Sequence, residues 1–275
     1  MRDVDSPAFA HFGALMSHSS SSRRFLVAAA VLAASSTEHA FAESSDHWDL
    51  TVGAGVMSVP EYPGGDEQKT LFLPVVAAKY GRFVVGGETQ GLGFNVVENE
   101  RWRVAVFASF DLSKIRDETD ERRLRGLGDI DGTGRVGALA SYTWDWLTAT
   151  ARVSTDAGDN QLGTVASVGL SARWHPTSQL TLSAGPQVTW ANGEYMQTVY
   201  GVDGIQSLRS GLPQYAAGSG VASVGLQLGA NYRLGERWSI GVTATSAQLQ
   251  GDAKKSPITV DKTQNSIGVF AAYHF

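Results

Sequence analysis

Few residues in this chain are of a type and spacing to do chemistry. Of its six histidines, His47, His175 and His274 remain once residues 1–42 are set aside. All three fall at the ends of predicted strands, on the side of the short turns. A lipid-cleaving barrel would need a Ser and a His together on the lipid-facing outer rim. A barrel protease would need acids and a His on its outer loops. The chain has neither arrangement. It has no cysteine, which excludes thiol catalysis, disulfides and an N-terminal lipidated Cys. The reading is a protein without catalytic residues, metal ligands or cofactor.

Three other groupings carry polar or sticky chemistry. Segment 114–133 combines Lys114, Arg116, Arg122, Arg123 and Arg125 with Asp117, Glu118, Asp120, Glu121, Asp129 and Asp131. It is either a calcium or lipopolysaccharide site or a solvated, mutually paired loop. Its acidic spacing does not match an EF-hand, so the paired loop, with a helical turn or two ending at Gly126, is the reading adopted. Arg103, Arg135, Arg152, Arg173 and Arg233 share a predicted inward face. Unpaired, they would favour anions in a lumen. Paired with Asp111, Glu88 or loop acids, they would fill the interior, and the size of the barrel favours that. Segment 192–218 carries Tyr195, Met196, Tyr200, Leu208, Leu212 and Tyr215, too apolar for a freely solvated loop. It folds into the mouth of the barrel as a plug or docks a partner, and folding inward is preferred.

The elements that position these residues are strands. At the C-terminus Ile267, Val269, Ala271, Tyr273 and Phe275 alternate with Ser266, Gly268, Phe270, Ala272 and His274. A period of two gives one oily face. A greasy terminal edge strand invites aggregation unless a closed barrel pairs it with the first strand, so Ile267, Val269, Tyr273 and Phe275 are read as the barrel-closing face. The same alternation recurs along the chain. Trp102, Val104 and Val106 oppose Arg103, Ala105 and Phe107. Val168 and Leu170 oppose Ser167 and Gly169. Val224, Leu226 and Leu228 oppose Ser223, Gly225 and Gln227. The 31 glycines suit an interior of small side chains. Trp102, Tyr142, Trp144, Trp174, Trp190, Tyr232, Trp238 and Tyr273 end the apolar faces, as bilayer interfaces favour. Short turns near Gly81 and at 99–101, 143–146, 175–178 and 234–237 alternate with long links at 114–133, 156–162, 192–218 and 250–262.

These patterns predict an all-β fold: a transmembrane, antiparallel, up-and-down β-barrel spanning 43–275. Segment 82–98 is ambiguous, but parity makes it a hairpin of 82–88 and 92–98. That gives twelve strands, with ten as the fallback. Segment 69–80 is apolar on both faces, so its register is open, and Pro74 suggests a bulge or kink. Residues 1–42 read as an extension and a cleaved export signal. Arg23 and Arg24 precede the apolar run Phe25 to Ala34, and Ala40-Phe41-Ala42 supplies the small-x-small site. The mature chain then begins at Glu43, and Met16 is a candidate true start. The net charge of −5 gives no footprint for nucleic acid.

Four motifs in order carry a resemblance: Pro60-Glu61-Tyr62-Pro63-Gly64, Leu124-Arg125-Gly126-Leu127-Gly128-Asp129-Ile130, Tyr195-Met196-Gln197-Thr198-Val199-Tyr200-Gly201-Val202, and Gly251-Asp252-Ala253 followed by Ser256-Pro257-Ile258. With the aromatic terminus they resemble the MipA/OmpV family over nearly the whole mature chain. The resemblance implies a Gram-negative outer-membrane location, contact with lipid and lipopolysaccharide, and insertion by the barrel-assembly machinery. It also implies a scaffold that links a membrane-bound lytic transglycosylase to a murein synthase, with no catalytic residues to carry over. A small pore for ions or polar solutes and a surface adhesin or antigen are the alternative roles.

Overall fold

The computed structural model describes residues 47–275 apart from positions 112 and 159. The export signal, its cleavage site and the Met16 start lie outside the described residues.

Twelve antiparallel strands close on themselves. In chain order they are β1 Asp49–Pro60, β2 Gln68–Tyr80, β3 Phe83–Gly86, β4 Gly91–Glu98, β5 Trp102–Phe110 and β6 Gly134–Trp144. The second half comprises β7 Leu147–Asp156, β8 Thr164–Trp174, β9 Leu180–Ala191, β10 Gly220–Leu234, β11 Trp238–Leu249 and β12 Thr263–His274. As strand parity requires, β3 and β4 form a short hairpin, joined by a 3-10 turn, Gly87–Thr89.

Closure rests on the terminal strand. On one side β12 pairs with β1 through Val52↔Tyr273, Val56↔Val269 and Ser58↔Ile267. On the other it pairs with β11 through Trp238↔Tyr273 and Val242↔Val269. The Phe275 N–H donates to the Leu50 carbonyl at 2.9 Å, and its ring stacks edge-on to Tyr273. Outward residues such as Val56, Val106, Val168, Leu226, Val242 and Val269 are exposed. Apart from the stretch of β2 above the end of β3, the ladder groups of this closed sheet are paired, so the apolar belt can meet hydrocarbon without stranding backbone polar groups.

β2 resolves its register with Leu71, Leu73 and Val75 inward and buried, and Phe72 and Val76 outward. Pro74 causes no bulge, because the β1–β2 ladder runs unbroken from Asp49↔Lys79 to Pro60↔Gln68. The reason is the neighbour on the other side. β3 pairs only with Ala77 to Tyr80. A Cβ on Gly86 would collide with the Val76 carbonyl, so the Val76 peptide faces β3. Peptide direction repeats every second residue, so the missing N–H of Pro74 also faces that side, above the end of β3. There it breaks no ladder bond, which is the edge position a strand proline tolerates.

Three short helices lie in the outer links: α1 Gly193–Tyr200, α2 Gly204–Ser210 and α3 Gly251–Lys255. Asn192 caps α1 by accepting the Tyr195 N–H, and Asp203 with Gln206 forms a capping box on α2. Each cap satisfies amides that a helix start otherwise leaves free.

Candidate functional site

At the outer mouth of the barrel its own loops pack on one another, and the four sequence motifs meet there. Tyr62, from the first motif, is buried with Leu124 and Leu127 of the second, Val202 of the third and Ile258 of the fourth. Beside them Met196, Val199 and Tyr200 pack with Ile130, Leu162, Leu249 and Ala253. Tyr195 and Tyr215 pack against this cluster from its rim. Segment 192–218 therefore packs against the neighbouring loops and strand ends at the mouth. Each fully buried side chain of this size contributes about 1.5–3 kcal/mol, so the plug is held as a core is held.

Polar links fix the apolar pieces in register. Ser256 donates its hydroxyl to the Tyr200 carbonyl at 2.6 Å. Tyr215 donates to the Asp252 carbonyl at 3.0 Å, and the Gly218 N–H donates to the Asp252 carboxylate at 2.9 Å. Gln206 donates to the Leu127 carbonyl at 2.8 Å. Gln264, at the top of β12, receives the Gly64 N–H at 2.9 Å. Burial pushes the Tyr200 phenol well above the usual tyrosine range. Tyr62 moves the same way, by burial first and then by the nearby Glu121 carboxylate.

Segment 114–133 differs from the solvated loop expected of it. Its charges do pair: Lys114 meets Asp117 at 3.1 Å and Asp129 at 2.5 Å. Arg122–Leu124 forms a 3-10 turn rather than longer helix. Yet Leu124, Leu127 and Ile130 are buried in the plug, and Arg116 is only 2% exposed. The Arg116 guanidinium donates to the carbonyls of Gly128, Leu127 and Val199. Burial lowers its pKa to about 10, so it stays cationic at neutral pH. Asp117 is held at about 2 by the Thr119 hydroxyl and amide, and then by Lys114. Hydrogen bonds from Lys114 and the Glu118 amide also lower Asp129.

The five arginines do not form one group. Arg103 donates to Glu88 at 2.9 Å and to Asn95 at 3.2 Å. Arg135 donates to Asp111 at 2.7 Å. Arg152 lies 4.0 Å over the Phe107 ring and donates to the Glu88 carbonyl. These three fill the β4–β7 side of the interior. Arg173 and Arg233, like Arg103, stand one residue in from the inner ends of their strands, and Arg233 donates to the Ser178 carbonyl at 2.7 Å. Across from the filled side, the lumen wall carries Gly169, Gly185, Gly225 and Gly229, with Gln187 and Gln227 hydrogen-bonded across it.

The histidines take structural positions. His47 and His175 are exposed. His274 bridges the closure, with Nδ1 2.9 Å from the Thr51 hydroxyl on β1 and Nε2 3.1 Å from the Ser239 hydroxyl on β11. Ser239 is 4% exposed, and the second ring nitrogen meets a hydroxyl where a catalytic triad has a carboxylate. The arrangement ties three strands together. Sequence reasoning missed it, along with the contacts of Arg116 and Ser256, because backbone carbonyl partners carry no side-chain signal and most of these contacts join residues far apart in the chain. The only local signal was that Tyr62 and Ser256 lie within the quoted motifs.

The chain is 24% identical over 226 residues to the Escherichia coli K12 protein named "Putative outer membrane protein YiaT", covering 82% of this chain and 90% of that one. It is 27% identical over 239 residues to the MltA-interacting protein of Escherichia coli K12, covering 86% and 93%. A solved structure described as a bacterial polysaccharide outer membrane secretin aligns with a TM-score of 0.43 and 12% identity, over 84% of this chain and 99% of that chain. The family model described as MltA-interacting protein MipA matches residues 52–275, and the chain belongs to that family of outer-membrane barrels.

Proposed function

We propose that this barrel is a non-enzymatic scaffold of the outer membrane, docking a murein lytic transglycosylase, and through it a murein synthase, at its periplasmic end. The observation that carries the reading is the plug. Links from β1–β2, β5–β6, β9–β10 and β11–β12 interlock across the outer mouth, which suits a closed platform better than a solute pore. The name of the MltA-interacting relative, matched over most of both chains, points to the class of partner. The periplasmic face offers short turns with an exposed aromatic, Trp146 at 62%, beside Arg101 and His175. Exposed aromatics and arginines are the residues enriched where partners dock.

The test is cross-linking in the native envelope. A photoreactive residue at Trp146 is expected to capture a lytic transglycosylase, while one at Leu208 on the outer surface is not. Recovery of no murein enzyme from the Trp146 site would overturn the scaffold. A pore remains the second reading on one observation, the small-residue wall beneath the plug. Removal of the plug is the way to expose it.

A further inference from the structure

The barrel wall has a notch. Along β2, residues Gln68 to Val76 rise beyond the end of β3, which pairs only with Ala77 to Tyr80. Among the described residues, no backbone hydrogen bond is made by Thr70, Phe72 or Pro74 toward that side. The notch lies at lipid height. Phe72 is aligned across the sheet with Val56, Val269 and Val242, all outward and exposed. Open sheet edges are not tolerated against hydrocarbon unless the backbone is buried in protein or lines a water-filled cavity. A cavity is present. Just inside β2, an open-sided chamber of ≈ 400 Å³ is lined by Val59, Leu71, Ile115, Tyr195 and Leu249. That volume lies within the range of about 300–1,000 Å³ typical of small-molecule sites. Next to β2 the chamber is bounded by Ser113, Lys114 and Ile115, a loop where the rest of the barrel has a strand.

The polar lining is uneven. Lys114 is taken up by Asp117 and Asp129. Lys69, which points inward from β2 beside Leu71, makes no salt bridge among the described residues; the Glu61 carboxylate shares the lining and feels its charge without closing a contact pair. We propose that the notch is a lateral portal and that the chamber binds a single-chain amphiphile with an anionic head, taken from the outer leaflet. The chain lies along Leu71, Ile115 and Leu249, and the head meets Lys69. The site is independent of the scaffold reading and stands or falls apart from it.

Two measurements test it. Native mass spectrometry of the detergent-released barrel is run with decanoate, decylammonium and decanol as probes. Decanoate is expected to bind one per barrel, and decylammonium about tenfold more weakly, as a charge-assisted contact to Lys69 requires. Lys69→Ala should remove that preference, and Leu71→Trp should fill the chamber and abolish binding. Equal binding of decylammonium, or no decanoate adduct, would overturn the proposal. Because the chain has no native cysteine, Ser113→Cys accepts a single nitroxide label. In bilayers the portal predicts that this label is relaxed by lipid-soluble oxygen more than by a water-soluble nickel chelate. The reverse order would show that the chamber opens only to the outer water.

Discussion

Arg116 and Val199 stand 83 residues apart, and a guanidinium Nη1 of the first donates to the carbonyl of the second at 3.5 Å. The same side chain holds Leu127 and Gly128 by their carbonyls at 3.2 Å. One buried cation therefore joins the β5–β6 link to α1. Arg116→Ala strands three carbonyls, each costing about 1–3 kcal/mol when left unsatisfied in a buried site. The expected result is a loosened plug on an intact barrel. Trypsin should then cut at Arg122, Arg123 or Arg125 in the variant and not in the parent, while heat-modifiable gel mobility of the barrel is unchanged.

The carboxylates of the same link give it a pH dependence. Asp117 is depressed to about 2 and Asp129 is also lowered, against about 3.9 for an unfolded Asp. A depressed carboxylate contributes stability that is fully present above the unfolded value and is lost as pH falls through the folded one. The link should therefore hold at pH 5 and open as pH falls from about 4 to about 2. Pepsin, active across that window, should cleave near Leu124 and Leu127 only at its lower end. Asp117→Asn should abolish most of the change.

His274 bridges Thr51 and Ser239 across the closure of the barrel. His274→Ala removes two side-chain hydrogen bonds, each worth about 1 kcal/mol net. The urea midpoint, read from the folded and unfolded gel bands, should fall accordingly. Ser239→Ala should cost about half as much. If Ser239 were instead a nucleophile, a serine-directed phosphonate would label it; no labelling is expected.

Much of the fold was legible because side-chain direction in a strand has a period of two. The faces carrying Val106, Val168, Leu226 and Val269 could be read without knowing any contact, and turn lengths then set the strand count. Pro74 misled for a physical reason: its cost depends on whether a strand lies beside it, and the end of β3 at Gly86 is not visible locally. The charges around Arg116 looked solvated because in sequence a buried guanidinium is indistinguishable from an exposed one. Its carbonyl partners carry no side-chain signal. The motif stretches were visible as stretches, but their meeting around Tyr62 and Ile258 is a product of closure. The arginines show the limit from the other side. Which partner each takes was not readable: Arg103 meets Glu88, Arg135 meets Asp111 and Arg152 lies over Phe107, whereas Arg233 meets the Ser178 carbonyl near the inner rim.

Single-channel recording in a planar bilayer tests the closed platform most directly, comparing the intact barrel with one whose residues 193–217 are replaced by a short Gly-Ser link. The intact barrel is predicted to stay silent and the plug-deleted barrel to conduct in discrete steps. Stepwise current from the intact protein at the same voltage would contradict a self-plugged scaffold and establish a pore in its place.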